Sequence, residues 1–120
     1  MVWKLDDSRP IWLQLKEGIT EKIISGEYPS GEKLISVREL AAEAGVNPNT
    51  MQRALTRLDE EGLTETSRTS GRFVTSDSEV VNKVRLELAE DKTEKFLKSM
   101  EKIGFNRDEI ISIIKGERVK

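Results

Sequence analysis

The chain contains no cysteine and no histidine among its 120 residues. Their absence excludes disulfides, thiol switches, zinc clusters and histidine-based catalysis. The sequence also has no secretory signal and no apolar run long enough to span a bilayer. We therefore expect a cytoplasmic protein that has no cofactor, no metal and no association with a membrane.

The sequence has no excess of either charge. Its net charge is −2, with 36% hydrophobic and 35% charged residues, which is typical of one soluble, helix-rich domain with a small appendage. Between residues 33 and 75 there are six basic and six acidic residues. Bulk charge therefore does not indicate a nucleic-acid-binding protein, and the placement of the charges has to be considered instead.

Residues 36–58 have the pattern of two short helices joined by a turn. Ser36 and Glu39 form a capping box, which satisfies the free N–H groups at the start of a helix. Gly45 can adopt the left-handed conformation that ends this helix. Asn47 is a favourable N-cap for a second helix, and Pro48 suits its first position. The sequence therefore predicts a helix-turn-helix.

The second helix has two chemically distinct faces. Met51, Ala54, Leu55 and Leu58 recur at helical spacing and are predicted to face the core. The opposite face has amides, hydroxyls and arginines that match base edges in the major groove, and it has no acid before Asp59. We expect direct base contacts from Asn49, Thr50, Gln52 and Arg53, with Thr56 and Arg57 on the same face. The alternative interpretation is a solvated helix face.

A hairpin follows this helix. Residues 63–67 alternate with threonine and predict a strand, 69–71 have turn chemistry, and 72–75 predict a second strand. A hairpin directly after a recognition helix is a wing, with Arg68 and Arg72 beside its tip. Lys33-Leu34-Ile35 is predicted to lie as a short strand against it.

The chain resembles the winged-helix domain of GntR-type bacterial transcription regulators over roughly residues 10–75. The resemblance rests on Gly31-Glu32-Lys33-Leu34, Ser36-Val37-Arg38-Glu39-Leu40-Ala41, Val46-Asn47-Pro48-Asn49-Thr50, Arg53-Ala54-Leu55, Gly62-Leu63 and Gly71-Arg72-Phe73-Val74. It implies double-stranded DNA as the partner. Arg38 resembles the family's phosphate-contacting arginine, and the alternative for it is a surface ion pair. The predicted DNA-binding residues are Ser36, Arg38, Asn47, Asn49, Thr50, Gln52, Arg53, Arg57, Arg68, Ser70, Gly71 and Arg72.

Two positions depart from the family pattern. Ile35 stands where the family usually has proline, which is expected to loosen the junction between strand and helix. Arg72 stands where the family usually has threonine before Phe-Val. This extra cation at the wing is expected to strengthen phosphate contact or to alter the preference for the minor groove.

Apolar residues outside residues 33–75 predict helices and an association surface. A first helix is predicted from Pro10 to Gly26, a long polar helix from about 77 to 103, and a short isoleucine-rich helix after Asn106. The two C-terminal helices resemble the dimerisation region of YtrA-type members of the family, and the alternative is a hairpin packed on its own domain. The predicted homodimer contacts are Trp3, Trp12, Phe96, Leu97, Met100, Ile103, Phe105, Ile110, Ile111 and Ile114.

The predicted fold is mostly α with a small β-wing, in which a winged helix-turn-helix (1–75) is followed by a helical dimerisation hairpin (76–120). The favoured function is a homodimeric DNA-binding regulator, most simply a repressor, that binds an inverted repeat. About four phosphate contacts per subunit would give a log-log salt slope near −7. The alternative is a winged-helix adaptor that binds protein rather than DNA.

An enzyme is not expected. The acidic pairs Glu60-Glu61 and Asp108-Glu109 are adjacent in sequence, so on a helix their side chains point about 100° apart and do not converge. No sequence feature identifies a small-molecule effector. A ligand between subunits, among Trp3, Trp12, Phe96 and Phe105, is an alternative to simple packing of these aromatic residues.

Overall fold

The structure, a computed structural model, describes residues 3–117. Met1 and Val2 of the predicted N-terminal arm, and the last three residues of the predicted C-terminal region, lie outside the described residues. The elements are α1 (Ile11–Ile24), α2 (Val37–Ala44), α3 (Pro48–Glu60), β1 (Thr64–Ser67), β2 (Gly71–Val74), α4 (Ser78–Lys102) and α5 (Arg107–Ile114). The chain divides into two compact units, Met1–Asn82 and Lys83–Lys120, with the division inside α4.

The predicted helix caps are present and fix the ends of the helix-turn-helix. The Ser36 hydroxyl accepts a hydrogen bond from the Glu39 N–H at 3.1 Å, and the Glu39 carboxylate accepts one from the Ser36 N–H at 3.3 Å. Gly45 ends α2 with a φ of 71°, in the left-handed region. The Asn47 side chain accepts from the Asn49 N–H at 2.7 Å and caps α3. The predicted helix-turn-helix is therefore confirmed.

Helix α3 lies at the centre of the first unit. It packs against α1, α2 and β1. Its four predicted core residues are all buried, and they are joined by apolar side chains from every neighbouring element. The buried apolar residues of this unit are Leu15, Ile19, Ile23, Leu34, Leu40, Ala41, Met51, Ala54, Leu55, Leu58, Leu63 and Val74.

The wing is a two-stranded antiparallel hairpin in which Thr66 lies opposite Arg72 and Ser67 opposite Gly71. It begins at Thr64 and ends at Val74, one residue from the predicted bounds. The segment before α2 pairs with β2 through a bridge between Lys33 and Phe73. The Leu34 N–H donates to the Arg72 carbonyl at 2.9 Å. This segment joins the start of α2 to the wing at the predicted place, but through an isolated bridge and not as the predicted strand.

The N-terminal arm is held by a buried lysine of α1. The Lys22 side chain is 4% exposed, and its ammonium lies 4.2 Å from the centroid of the Trp3 ring and 3.9 Å from a Glu43 carboxylate oxygen. The Trp3 indole N–H donates to Glu43 at 3.3 Å. A Cβ on Gly18 would lie 3.2 Å from the Trp3 ring, so glycine makes room for the ring. Trp3, expected at a subunit interface, thus packs on its own chain.

The second unit contains most of α4 and all of α5. Helix α4 is 25 residues long and has no buried residue, and ion pairs such as Asp91–Lys95 at 3.0 Å run along it. Asn106 and Glu109 form a second capping box at the start of α5. Among residues 3–117, no helix has both the length and the apolar character that a membrane crossing requires.

Truncation of Leu55 tests whether α3 is the centre of the core. Leu55 is 1% exposed, so Leu55→Ala should lower the free energy of unfolding by about 2–5 kcal/mol through lost burial and a residual cavity. Urea denaturation followed by circular dichroism measures this loss. Leu86→Ala is the matched control, because Leu86 is 62% exposed and the change should cost less than about 0.5 kcal/mol. Equal losses for the two variants would contradict the assignment.

Candidate nucleic-acid interface

The start of α2, the outer face of α3 and the wing border one open cleft of about 730 Å³. Ser36 from α2, Gln52 from α3, and Gly71 and Arg72 from the wing all line it. The structure therefore brings together predicted site residues that are up to 36 positions apart in the sequence.

The outer face of α3 presents polar side chains to solvent. Asn49, Gln52, Arg53 and Arg57 are exposed, and Thr50 is half-buried. The Gln52 amide donates to the Thr56 hydroxyl at 3.1 Å, which orients the amide along the helix. The caps Ser36 and Asn47 accept backbone N–H bonds, so their first role is to fix where the two helices begin.

Two arginines of this face stack on an aromatic ring from α1. The guanidinium carbon of Arg53 lies 4.4 Å from the centroid of the Trp12 ring, and that of Arg57 lies 5.4 Å from it. Such cation–π contacts restrict the arginine rotamers while the N–H groups remain available to acceptors. Trp12 was expected at the dimer interface. In the structure the Trp12 ring lies against these two arginines of its own chain, and its place at a dimer interface stays a prediction.

Several acids of the first unit have a cation nearby. Glu61 pairs with Lys16, Glu43 lies near the buried Lys22, and Glu60 lies 3.6 Å from Arg57. By contrast, Lys33, Arg38 and Arg68 are exposed and make no ion pair among residues 3–117. The balanced charge count therefore does not show that these three cations lack an ion-pair partner within the described part of the chain.

Lys33 was not among the predicted site residues. Its side chain lies against the start of β2, so a Cβ added to Gly71 would come within 2.9 Å of the Lys33 Cε atom. Gly71 also has a φ of 102°, a conformation that favours glycine. The bridge between Lys33 and Phe73 produces this proximity. The prediction of a strand at residues 33–35 placed Lys33 beside the wing. The sequence pattern did not indicate in which direction the Lys33 side chain points.

Arg72 is predicted to contact phosphate from the wing, and in the structure its guanidinium already has a partner within the chain. Its guanidinium forms two hydrogen bonds to Asp59, from Nε at 3.2 Å and from Nη2 at 3.0 Å. The Arg72 side chain is 12% exposed. Asp59 also accepts hydrogen bonds from the Thr64 and Thr66 hydroxyls. Since the cation is compensated within the chain, Arg72 differs from the exposed Arg68.

This network changes the acidity of Asp59. Partial burial raises the pKa of the carboxyl, but hydrogen bonds from Arg72, Thr64 and Thr66 and the charge of Arg72 outweigh burial. The pKa of Asp59 is therefore lower than its ordinary value of 3.8. The folded state favours the ionised carboxylate.

The predicted dimer residues of the second unit differ in exposure. Ile103 and Ile114 are each 67% exposed, and Ile110 is fully buried within the single chain. Ile110 is therefore a core residue and is removed from the predicted interface, because a partner cannot reach it. Phe96 and Ile111 are exposed, whereas Leu97, Met100 and Phe105 are half-buried.

Comparisons with known proteins agree with this geometry. The family model "Bacterial regulatory proteins, gntR family" matches residues 12–74. The chain is 35% identical over 112 residues to the uncharacterized HTH-type transcriptional regulator YhcF of Bacillus subtilis (strain 168), which covers 93% of each protein. It is 38% identical over 71 residues to the HTH-type transcriptional repressor YtrA of the same strain, covering 59% of this chain and 55% of YtrA.

A solved structure shows the same architecture. The GntR family transcriptional regulator from Listeria monocytogenes has a TM-score of 0.85 to this chain and 38% sequence identity, covering 95% of this chain and 100% of that one.

The low pKa of Asp59 predicts a pH-dependent contribution to stability. The contribution should be fully present above the ordinary pKa near 4 and should be lost as the pH falls through the lower pKa of the folded state. Wild type should therefore exceed Asp59→Asn in the free energy of unfolding at pH 7, and the difference should shrink below about pH 4. Urea denaturation across this pH range measures it.

Asp91→Asn is the control for this experiment. Asp91 also forms an ion pair, with Lys95, but its side chain is 56% exposed. Exposed pairs contribute little, so Asp91→Asn should behave like wild type at every pH. A constant difference between wild type and Asp59→Asn down to pH 2 would contradict the proposed pKa shift.

Proposed function

The chain belongs to the GntR family of bacterial regulatory proteins, and on this basis we propose that it is a sequence-specific DNA-binding transcriptional regulator that acts as a homodimer. The observation that carries the proposal is the outer face of α3, which presents the exposed side chains of Asn49, Gln52, Arg53 and Arg57. The adaptor alternative requires an apolar recognition face. Apart from Pro48 at its first position, the exposed residues of α3 are all polar, which favours DNA.

Base recognition is assigned to the outer face of α3. Asn49 and Gln52 have amide groups that match adenine, and the arginine fork matches guanine. Trp12 already restrains the guanidinium of Arg53. Arg53 therefore loses less conformational freedom when it binds in the groove. Each bidentate contact of this kind contributes roughly 1–3 kcal/mol of discrimination between bases.

Phosphate contact is assigned to the three unpaired cations. Arg38 lies in the first turn of α2, Arg68 in the wing turn, and Lys33 against Gly71 at the start of β2. Three contacts in each of two protomers, at about −0.9 each, give a log-log salt slope of about −5. This value is shallower than the slope expected from sequence, because Arg72 is paired with Asp59.

Dimerisation is assigned to the second unit. Phe96, Ile103, Ile111 and Ile114 expose apolar area that a second copy of the chain would cover. A two-fold dimer would present two α3 helices to an inverted repeat. YtrA, a relative named as a repressor, supports repression, in which the bound dimer blocks access of polymerase to the promoter.

Selection from a randomised duplex library at about 0.1 M salt tests the assignment of base contacts. We expect an enriched inverted repeat. Asn49→Ala and Arg53→Ala should each weaken binding to it by roughly tenfold or more, since each removes a base contact. The dissociation constant is measured by fluorescence anisotropy on the enriched duplex.

Asn82→Ala and Arg85→Ala are matched controls. They remove the same side-chain types from exposed positions on α4, outside the cleft, and should leave binding unchanged. Failure to enrich any sequence with folded wild-type protein would contradict the proposed function.

Charge substitution of two exposed isoleucines tests dimerisation. Ile103→Asp and Ile114→Asp should each yield a folded monomer in analytical ultracentrifugation, because burying an unpaired carboxylate at an interface is unfavourable. Operator affinity should fall accordingly. Leu86→Asp is the control, since Leu86 has similar exposure but lies outside the predicted contacts. A monomeric wild type, or variants that remain dimeric, would contradict this assignment.

A further inference from the structure

The network around Asp59 joins the end of the recognition helix to both strands of the wing. Asp59 lies in the last turn of α3. Its carboxylate accepts hydrogen bonds from Thr66 on β1, at 2.7 Å, and from Arg72 on β2. Arg72 Nε also lies 3.1 Å from the Thr66 hydroxyl, and these two residues are directly opposite each other in the hairpin. One carboxylate is thus shared by three elements.

We propose that Asp59 and Arg72 form a positioning pair that fixes the wing relative to α3 before DNA binds. This inference rests on the proposed function, because it concerns how α3 and the wing engage one duplex. A recognition helix and a wing that contact the same duplex must keep a set separation and angle. A bidentate Arg–carboxylate pair fixes both distance and direction.

The location of the pair supports positioning over direct contact. A carboxylate repels phosphate, so an acid at the end of the recognition helix is unfavourable near DNA unless its charge is compensated. Arg72 supplies that compensation and is 12% exposed. Arg68, on the same hairpin, is exposed and unpaired among the described residues, so it is available to phosphate.

Preorganisation gives the pair an energetic role. Without the pair, the wing is held by its own ladder, by the segment at residues 32–34 and by the packing of β1 against α3. Any conformational freedom that the wing keeps is lost when it meets DNA, and this loss weakens binding. Because the Asp59–Arg72 pair already holds the wing in the free protein, DNA binding no longer carries most of this loss of conformational freedom. The affinity therefore depends on two residues that do not themselves touch the duplex.

Neutralising Asp59 separates positioning from contact, because the two roles predict opposite signs. If Arg72 contacts phosphate and Asp59 merely competes for it, Asp59→Asn frees the cation and tightens binding. If the pair positions the wing, Asp59→Asn weakens binding although it removes a negative charge. We expect dissociation constants about tenfold higher, or about 1.4 kcal/mol, for both Asp59→Asn and Arg72→Met.

The double variant provides a second criterion. Asp59→Asn/Arg72→Met should be no weaker than either single variant, because removing one partner already breaks the pair. Losses that add in the double variant would overturn the proposal. Glu65→Gln is the charge control. Glu65 is an exposed acid on β1, and neutralising it should leave DNA binding unchanged or slightly tighter.

Hydrogen exchange in the free protein makes the test independent of DNA. Amides of β1 and β2 should exchange faster in Asp59→Asn and Arg72→Met than in wild type or Glu65→Gln, while the amides of α1 keep their protection. Unchanged wing protection would overturn the positioning pair even if the protein binds DNA. Absence of DNA binding by wild type, together with faster exchange in the variants, would overturn the proposed function and leave the pair intact.

Discussion

The structure depends on the burial of one face of α3. Met51, Ala54, Leu55 and Leu58 are each at most 1% exposed, and α1, α2 and β1 all pack against this helix. Because side chains on a helix have fixed angular positions, burying this face directs Asn49, Gln52 and Arg53 towards solvent. The same hydrophobic contacts that stabilise the first unit therefore determine which residues are available for recognition.

Ion pairing then determines which charges on the exposed surface remain without a partner. The region 33–75 has equal numbers of acids and bases, yet several acids are compensated by cations of other elements, as in the pairs Glu61–Lys16 and Asp59–Arg72. Lys33, Arg38 and Arg68 are all exposed, and Lys33 lines the cleft. Net charge is therefore a poor indicator of nucleic-acid binding in this protein, since the electrostatic potential at a surface depends on which charges already have close partners.

The two units have different chemical character. The first buries an apolar core and presents polar residues, whereas α4 buries nothing and α5 buries Ile110. The solvated middle of α4 is consistent with a helix stabilised by i,i+4 ion pairs. Exposed isoleucines at positions 103, 111, 113 and 114 leave apolar area uncovered in the single chain. This difference in character supports separate roles for the two units in recognition and in association.

The sequence alone determined the helix-turn-helix, its caps and the wing, because these depend on interactions between residues at most a few positions apart. The Ser36–Glu39 capping box, the periodicity of α3 and the turn before Gly71 needed no tertiary information. Tertiary structure decided the roles of Trp12, Arg72, Lys33 and Ile110. Arg72 and its partner Asp59, for example, are 13 positions apart in the sequence. A long or apolar side chain fits the local sequence pattern equally well whether it faces solvent, a partner chain or its own core. Only the packing of the helices and strands determines which of these environments the side chain occupies.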